Sequence, residues 1–395
     1  MTTRTTRTTL LFGAILMLAV VCYLPTQFNS PAARARDDGV ARTPPMGWNS
    51  WNRFHCDVNE RLIQNTADAM VASGMRDAGY QYIVIDDCWQ VARDSNGTIV
   101  ADWKRFPSGM AALADYVHAR GLKFGLYTDV GPRTCQGRPG SLGHEWQDAA
   151  TYAGWGVDFV KADWCYNEGL DAAKQYAIFR DALAATGRPI VLSICTWGKQ
   201  SPWDWGDDAG HLWRTTRDIT DRWPILLQII RENAVRAYAG GPGGWNDPDM
   251  LEVGNGGMTD VEYRTHMSMW AMMAAPLIAG NDIANMDEAT RAILLNKEVI
   301  AVDQDALGQQ GRRVWRDGDK EVWVRPLSGG AKALLLFNRG DQPATIRASA
   351  EQLGYPPAMR AKLRDLWAHK DLPRWTGSFE ANVEPHAVVM LKVQP

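Results

Sequence analysis

Short apolar runs alternate with helical stretches from about residue 41 to residue 279, and this rhythm leaves few folds open to the chain. Strand candidates fall at 45–51, 82–86, 123–128, 159–163, 189–195, 212–216, 237–241 and 276–279. Helical stretches such as 59–78, 110–120, 170–185, 225–238 and 260–274 separate them. Eight strands in alternation over about 260 residues match an α/β fold of the (β/α)8 or TIM barrel type in count and length. Five runs in this stretch end in an acid: YIVIDD at 82–87, FGLYTD at 124–129, DFVKAD at 158–163, LWRTTRD at 212–218 and GGWNDPD at 243–249. In a closed parallel barrel the C-terminal strand ends open onto one face, where enzymes of this fold do their chemistry. A ring of acids there, interleaved with Trp and Tyr, suits a neutral sugar.

After Gly308 the grain changes. Short alternating runs at 321–327, 333–338, 344–348, 360–366 and 383–393 are joined by turn residues, among them Ser328-Gly329-Gly330 and Arg339-Gly340-Asp341. The second of these reads as a hairpin turn rather than an adhesion signal. This pattern predicts a C-terminal antiparallel β-sandwich. The expected division is a leader over 1–35, a catalytic barrel over 36–308 and a sandwich over 309–395.

The leader rests on Arg4 and Arg7, an apolar run over 10–24 and a polar stretch that ends in Ala33-Arg34-Ala35. This is a signal-peptide pattern with cleavage after Ala35, and its apolar run is short for a membrane span. An uncleaved anchor is the alternative. Export implies a secreted or periplasmic protein with no stable membrane partner, and it makes disulfides possible for the five cysteines beyond Cys22. The net charge of −3 over 395 residues, without any basic block, points away from nucleic acid and acidic polymers. The oligomeric state cannot be read from the chain. Trp is abundant, at 18 copies. Trp48, Trp89, Trp164 and Trp245 sit beside strand-end acids, where an indole can stack on a sugar face or simply fill the core.

Hydrolysis of a glycosidic bond takes two carboxyl groups that flank the anomeric carbon. Asp163 and Asp218 are the expected pair. Lys161 shares a strand face with Asp163, so its ammonium is expected to keep Asp163 ionised and nucleophilic; a structural Lys–Asp pair is the plainer reading. Asp218 follows the sixth strand and suits an acid/base role that needs a raised pKa, although locally it could equally cap the next helix. Asp86 and Asp87 are adjacent acids that need donors, which sugar hydroxyls or a divalent metal could supply. The seven histidines show no His-x-His or His-Glu-x-x-His spacing, so no metal or other cofactor is expected. The stretch from Gly240 to Asp249 is too rich in Gly and Pro for a helix, and it lacks the Gly-Lys of a phosphate loop. It reads as a shaped wall.

At these residues the chain resembles glycoside hydrolase family 27, the α-galactosidase and α-N-acetylgalactosaminidase family. The matching segments are Pro44-Pro45-Met46-Gly47-Trp48-Asn49-Ser50-Trp51, Ile85-Asp86-Asp87-Cys88-Trp89, Gly125-Leu126-Tyr127-Thr128-Asp129-Val130-Gly131, Lys161-Ala162-Asp163-Trp164-Cys165-Tyr166, the stretch from Gly243 to Met250, and Val302-Asp303-Gln304-Asp305. The resemblance implies a retaining, metal-independent exo-α-galactosidase, with Asp163 as nucleophile and Asp218 as acid/base. It implies sugar contacts at Trp48, Asp86, Asp87, Tyr127, Lys161, Arg214, Asp249 and Met250, with Asp86 and Asp87 on the 4- and 6-hydroxyls. Cys195 and Trp197 join this substrate-binding set, Cys195 as a thiol near the sugar. The resemblance also pairs Cys56 with Cys88 and Cys135 with Cys165. Where many members have Cys-Glu-Trp, this chain has Cys195-Thr196-Trp197 and then Lys199, so selectivity at C2 is open. The rivals are an α-N-acetylgalactosaminidase, a hydrolase of a related pyranoside, and a non-catalytic galactose-binding protein.

Overall fold

In a computed structural model of the chain, residues 1–2 and 39–395 are described. The expected leader falls, apart from its first two residues, outside them. Among the described residues no helix is long and apolar enough to cross a membrane.

Eight parallel strands form the first sheet: β1 Met46–Asn49, β2 Tyr82–Ile85, β3 Lys123–Asp129, β4 Phe159–Asp163, β5 Val191–Cys195, β6 Leu212–Arg214, β7 Trp245–Asp247 and β8 Leu277–Ala279. Their order around the sheet is β8-β1-β2-β3-β4-β5-β6-β7. The ring closes where Leu251, just past β7, forms a parallel bridge with Ala279 of β8. Alternation along each strand sorts the side chains. Tyr82, Val84, Phe159, Val191, Leu212 and Trp245 cluster together, while Ile83, Ile85, Val160, Leu192 and Ile194 join the large cluster shared with the helices.

Seven of the eight strand candidates hold their places. The seventh does not: residues 237–239 are a turn that follows helix Trp223–Ala234, and the strand is Trp245–Asp247. Gly241 and Gly244 exchange backbone hydrogen bonds of 2.7 and 2.9 Å, and this tight turn delivers the chain into β7. The helical stretch expected over 59–78 is two helices, Glu60–Ala72 and Met75–Ala78, divided at Gly74, whose φ of 88° is free of strain only in a residue without a Cβ. Helices Glu145–Gly154, Glu288–Leu294 and Lys297–Asp303 were not anticipated.

The C-terminal sheet has eight antiparallel strands: β9 Arg312–Asp317, β10 Lys320–Pro326, β11 Lys332–Asn338, β12 Ala344–Ser349, β13 Arg360–Asp365, β14 Lys370–Thr376, β15 Ser378–Val383 and β16 Val388–Gln394. They run in the order β9-β10-β11-β16-β13-β14-β15-β12 around a core of their own, formed by residues such as Val322, Leu334, Leu336, Ile346, Leu363 and Leu391. The alternate residues of β11, Ala333, Leu335 and Phe337, belong instead to the barrel's core cluster. One apolar interior therefore continues from barrel to sandwich. Buried Arg325 adds polar stitching by donating to the carbonyls of Ala271 and Asp303, the latter at 3.0 Å. Strands β9, β14 and β15 escaped the sequence pattern because they are largely solvent-facing and carry no regular apolar alternation.

Candidate active site

Parallel register sets the site's floor. Tyr127, Lys161 and Ser193 lie side by side across β3, β4 and β5, and one step nearer the open face Asp129, Asp163 and Cys195 form a second row. Above these rows is a cavity of about 520 Å³, lined among others by Trp51, Asp86, Asp87, Tyr127, Cys135, Lys161, Asp163, Trp197, Arg214, Asp218, Asp249 and Met250. Ten of the twelve residues expected to react with or bind the sugar meet in this one cavity.

The two exceptions are Trp48 and Cys195. Trp48 is in register with Ile83 on the helix-facing side of the sheet. It is wholly buried, packs edge-on against Phe54 and donates its indole N–H to the carbonyl of Asn281 at 2.7 Å. The indole on the cavity wall is Trp51, three residues further on in the same motif. Cys195 is a buried free thiol behind the wall, 3.5 Å from Arg214 Nη1. Trp89, Trp164 and Trp245 are buried as well and line no part of the cavity, so core filling was the right reading for them. Thr196 is fully buried with its hydroxyl unpaired, and Lys199 lies over the ring of Trp197 at 5.0 Å. Neither lines the cavity. At this strand end the exposed wall is Trp197.

Lys161 meets its expectation only in part: it pulls the Asp163 pKa down, but its ion pair is made elsewhere. Its ammonium pairs with Asp86 at 2.8 Å, and Asp86 also accepts from Asn49 at 2.8 Å and from the Asp87 backbone at 2.9 Å. Asp87 accepts from the backbone N–H groups of Cys88 and Gln136, at 2.7 and 3.0 Å. The donors that these adjacent acids need are thus supplied by the protein, and sugar hydroxyls would add to them. Burial still raises the Asp87 pKa.

Asp163 accepts a hydrogen bond from the Tyr127 hydroxyl at 2.8 Å and one from the Trp164 backbone at 3.0 Å. Burial nevertheless pushes its carboxyl up to about 6, against the opposing pull of Lys161 and Tyr127. Asp218 behaves in the opposite way. Its side chain is 65% exposed and sits 3.0 Å from Arg214. Burial works to raise its pKa, but Arg214 and Lys161 outweigh that and hold it below the usual carboxylate value. The raised pKa expected on Asp218 therefore lies on its partner.

Arg214 is itself buried and bridges Asp218 to Asp249, 2.8 Å away. Asp249 holds φ at 96°, a strained value for a residue with a side chain. The strain is held by Asp247 accepting its N–H at 2.8 Å and by Trp270 donating to its carbonyl at 2.8 Å.

Both disulfides implied by the resemblance form, Cys56–Cys88 and Cys135–Cys165. The second ties the loop after β3 to the end of β4, and its Cys135 sulfur lies 3.2 Å from an Asp163 oxygen. Asp129 braces the same corner by accepting from Gly131 and Cys165 N–H at 2.6 and 2.7 Å. A Cβ at Gly131 would fall 2.3 Å from the Cys165 carbonyl, so only glycine fits there. Asp129, Cys135 and Cys165 lie close together, but both sulfurs are spent in the disulfide, which leaves no thiolate ligand set for a metal.

Sequence reasoning missed the far wall: Asn52, Glu252 and Asn255 line it, and Glu252 accepts from the two amides at 2.8 and 2.6 Å. Burial pushes Glu252 up to about 8. Its place just past the GGWNDPD run was the available signal.

The family profile described as alpha galactosidase A matches residues 43–305, and that of the alpha galactosidase C-terminal beta sandwich domain matches residues 317–393. Alpha-galactosidase 3 of Arabidopsis thaliana is 51% identical over 364 residues, 91% of this chain and 83% of its own length. The crystal structure of α-galactosidase I from Mortierella vinacea superposes with a TM-score of 0.89 at 38% identity, covering 91% of this chain and 98% of the other. The structure of the Saccharomyces cerevisiae α-galactosidase with raffinose gives a TM-score of 0.84 at 30% identity, covering 90% and 98%.

Proposed function

The chain belongs to the α-galactosidase family, glycoside hydrolase family 27, and on that premise we propose that it is a retaining exo-α-galactosidase acting on α-galactosyl oligosaccharides. The observation that carries the reading is the convergence of Asp163 and Asp218 on one cavity whose other polar walls are Asp86, Asp87, Lys161, Arg214 and Asp249. In the first step an Asp163 oxygen attacks the anomeric carbon while Asp218 gives its proton to the departing oxygen. In the second, Asp218 takes a proton from water, and the hydroxide so formed releases the sugar from Asp163.

The hydrogen bonds from Tyr127 and Trp164 favour the anionic form of Asp163 that attack requires. Bound sugar would strip water from the exposed Asp218 and favour its protonated form. Asp86 and Asp87, held by fixed donors, would read the axial and primary hydroxyls of galactose. Residues 36–308 carry this chemistry and 309–395 support it. Two disulfides fit an oxidising compartment outside the cytoplasm.

Thr196 and Lys199 do not line the cavity, so neither decides between galactose and a 2-acetamido sugar, and the α-galactosidase relatives support galactose. Comparing nitrophenyl α-galactoside with its N-acetylgalactosaminide analogue tests that choice, and faster turnover of the second would reverse it. Asp163→Ala is expected to abolish turnover with an unchanged circular dichroism spectrum. Retained activity would refute the assignment.

A further inference from the structure

The sandwich reaches the segment that carries Asp218 at Trp223, where two of its rings meet the indole. Five residues beyond Asp218, Trp223 opens helix Trp223–Ala234. The ring of His386, from the loop between β15 and β16, stacks flat on Trp223, with centroids 4.4 Å apart and planes 20° from parallel. Phe337 of β11 meets the same indole edge-on at 6.0 Å. His386 is itself clamped: one ring nitrogen is 2.8 Å from Glu262 and the other 2.9 Å from Asp341, in the turn after β11. Its carbonyl accepts from Thr265 at 2.7 Å, and its φ is 59°, a strained value for a β-carbon residue. Between Asp218 and Trp223 the chain is pinned to the barrel, where Ile219 N–H donates to Asp249 at 2.9 Å and Asp221 accepts from the Tyr263 hydroxyl at 2.6 Å. The segment is thus held from the barrel at one end and from the sandwich at the other.

We propose that His386 is a positioning residue for Asp218: by fixing Trp223 it sets where the acid/base carboxyl stands, and so gives the C-terminal sandwich a part in glycosidic bond cleavage. The proposal rests on the acid/base reading of Asp218. Loss of proton donation slows substrates with basic leaving groups and spares those whose leaving group departs unaided. General loss of folded enzyme slows all substrates alike.

The test compares kcat/KM for phenyl and 2,4-dinitrophenyl α-galactosides. Asp218→Asn sets the reference and must slow the phenyl substrate far more than the dinitrophenyl one. His386→Ala is expected to lower the phenyl rate about tenfold and the dinitrophenyl rate less than about twofold. Trp223→Leu, approached from the barrel side, should give the same split. His386→Phe, which keeps the stack, should restore much of the phenyl rate. Trp367→Phe removes a different joint, the indole N–H bonded to Ser268 at 2.9 Å, and should show no split. Equal losses on both substrates in His386→Ala and Trp223→Leu would overturn the proposal, as would the same split in Trp367→Phe. Absence of a split in Asp218→Asn would overturn the acid/base reading itself, and the proposal with it.

Discussion

Asp163 and Asp218 interact, so the reactive enzyme is the form in which the pair holds one proton, whichever carboxyl carries it before substrate binds. Asp218 is held below the usual carboxylate value and Asp163 is raised to about 6. The singly protonated form therefore prevails on the acid side of pH 6 and is lost above it. The expected outcome is a kcat/KM profile that declines as pH rises through about 6; a plateau extending to pH 8 would contradict it. The tryptophans give a second test. Trp51→Ala should raise KM about tenfold or more with little change in stability. Trp48→Ala should cost about 3–5 kcal/mol of stability, because it opens a hole in the core, and chemical denaturation would show the difference. The acids of the site were legible because they end apolar runs. The choice between Trp48 and Trp51 was not, because both lie in one motif and only strand register decides which indole faces the helices. The proton's place was illegible for a related reason: burial of Asp163 and exposure of Asp218 are tertiary facts.

At the scale of elements, site geometry depends on strand ends and the loops that brace them. Cys135–Cys165 closes a loop across the ends of β3 and β4 beside Asp163. Loops of this size are worth about 3–4 kcal/mol in the chain-entropy model. Replacing both cysteines by serine should lower stability by an amount of that order and depress kcat more than the Cys56, Cys88 double replacement does. Thermal melts and turnover measured together would check it. Strands whose apolar runs are continuous, β2 to β5, could be read directly from the chain. β7 could not, because its three residues follow a Gly-Pro-Gly-Gly turn, and the more apolar stretch before that turn drew the assignment away. The solvent-facing strands of the sandwich carry too little apolar alternation to announce themselves.

The whole molecule carries several buried acids whose protonation depends on the fold. Burial raises Asp129, Glu252 and Asp303 to about 8 each. As pH climbs from about 4 to 8 the unfolded chain releases these protons while the folded chain keeps them, so stability falls over that window. His266 works the other way: burial lowers it to about 3, so acidification below 6.5 protonates the unfolded chain first and costs stability. Asp163 and Asp249, raised to about 6, act with the raised acids, and Glu298, lowered to about 2 beside Arg364, acts with His266. The raised acids prevail and place the stability maximum on the acid side of neutral, and the melting temperature at pH 5.5 should exceed that at pH 8 by several degrees. This matches the acid-side activity expected from the carboxyl pair, so the barrel's stability and the site's chemistry favour the same conditions. The central claim is that Asp163 becomes covalently bonded to the sugar during turnover. Incubation with a slow fluorinated galactosyl fluoride, followed by peptide mass spectrometry, tests it directly. The account predicts a single glycosyl adduct on the peptide that contains Asp163. An adduct on Asp218 or Asp86, or turnover with none at all, would contradict it.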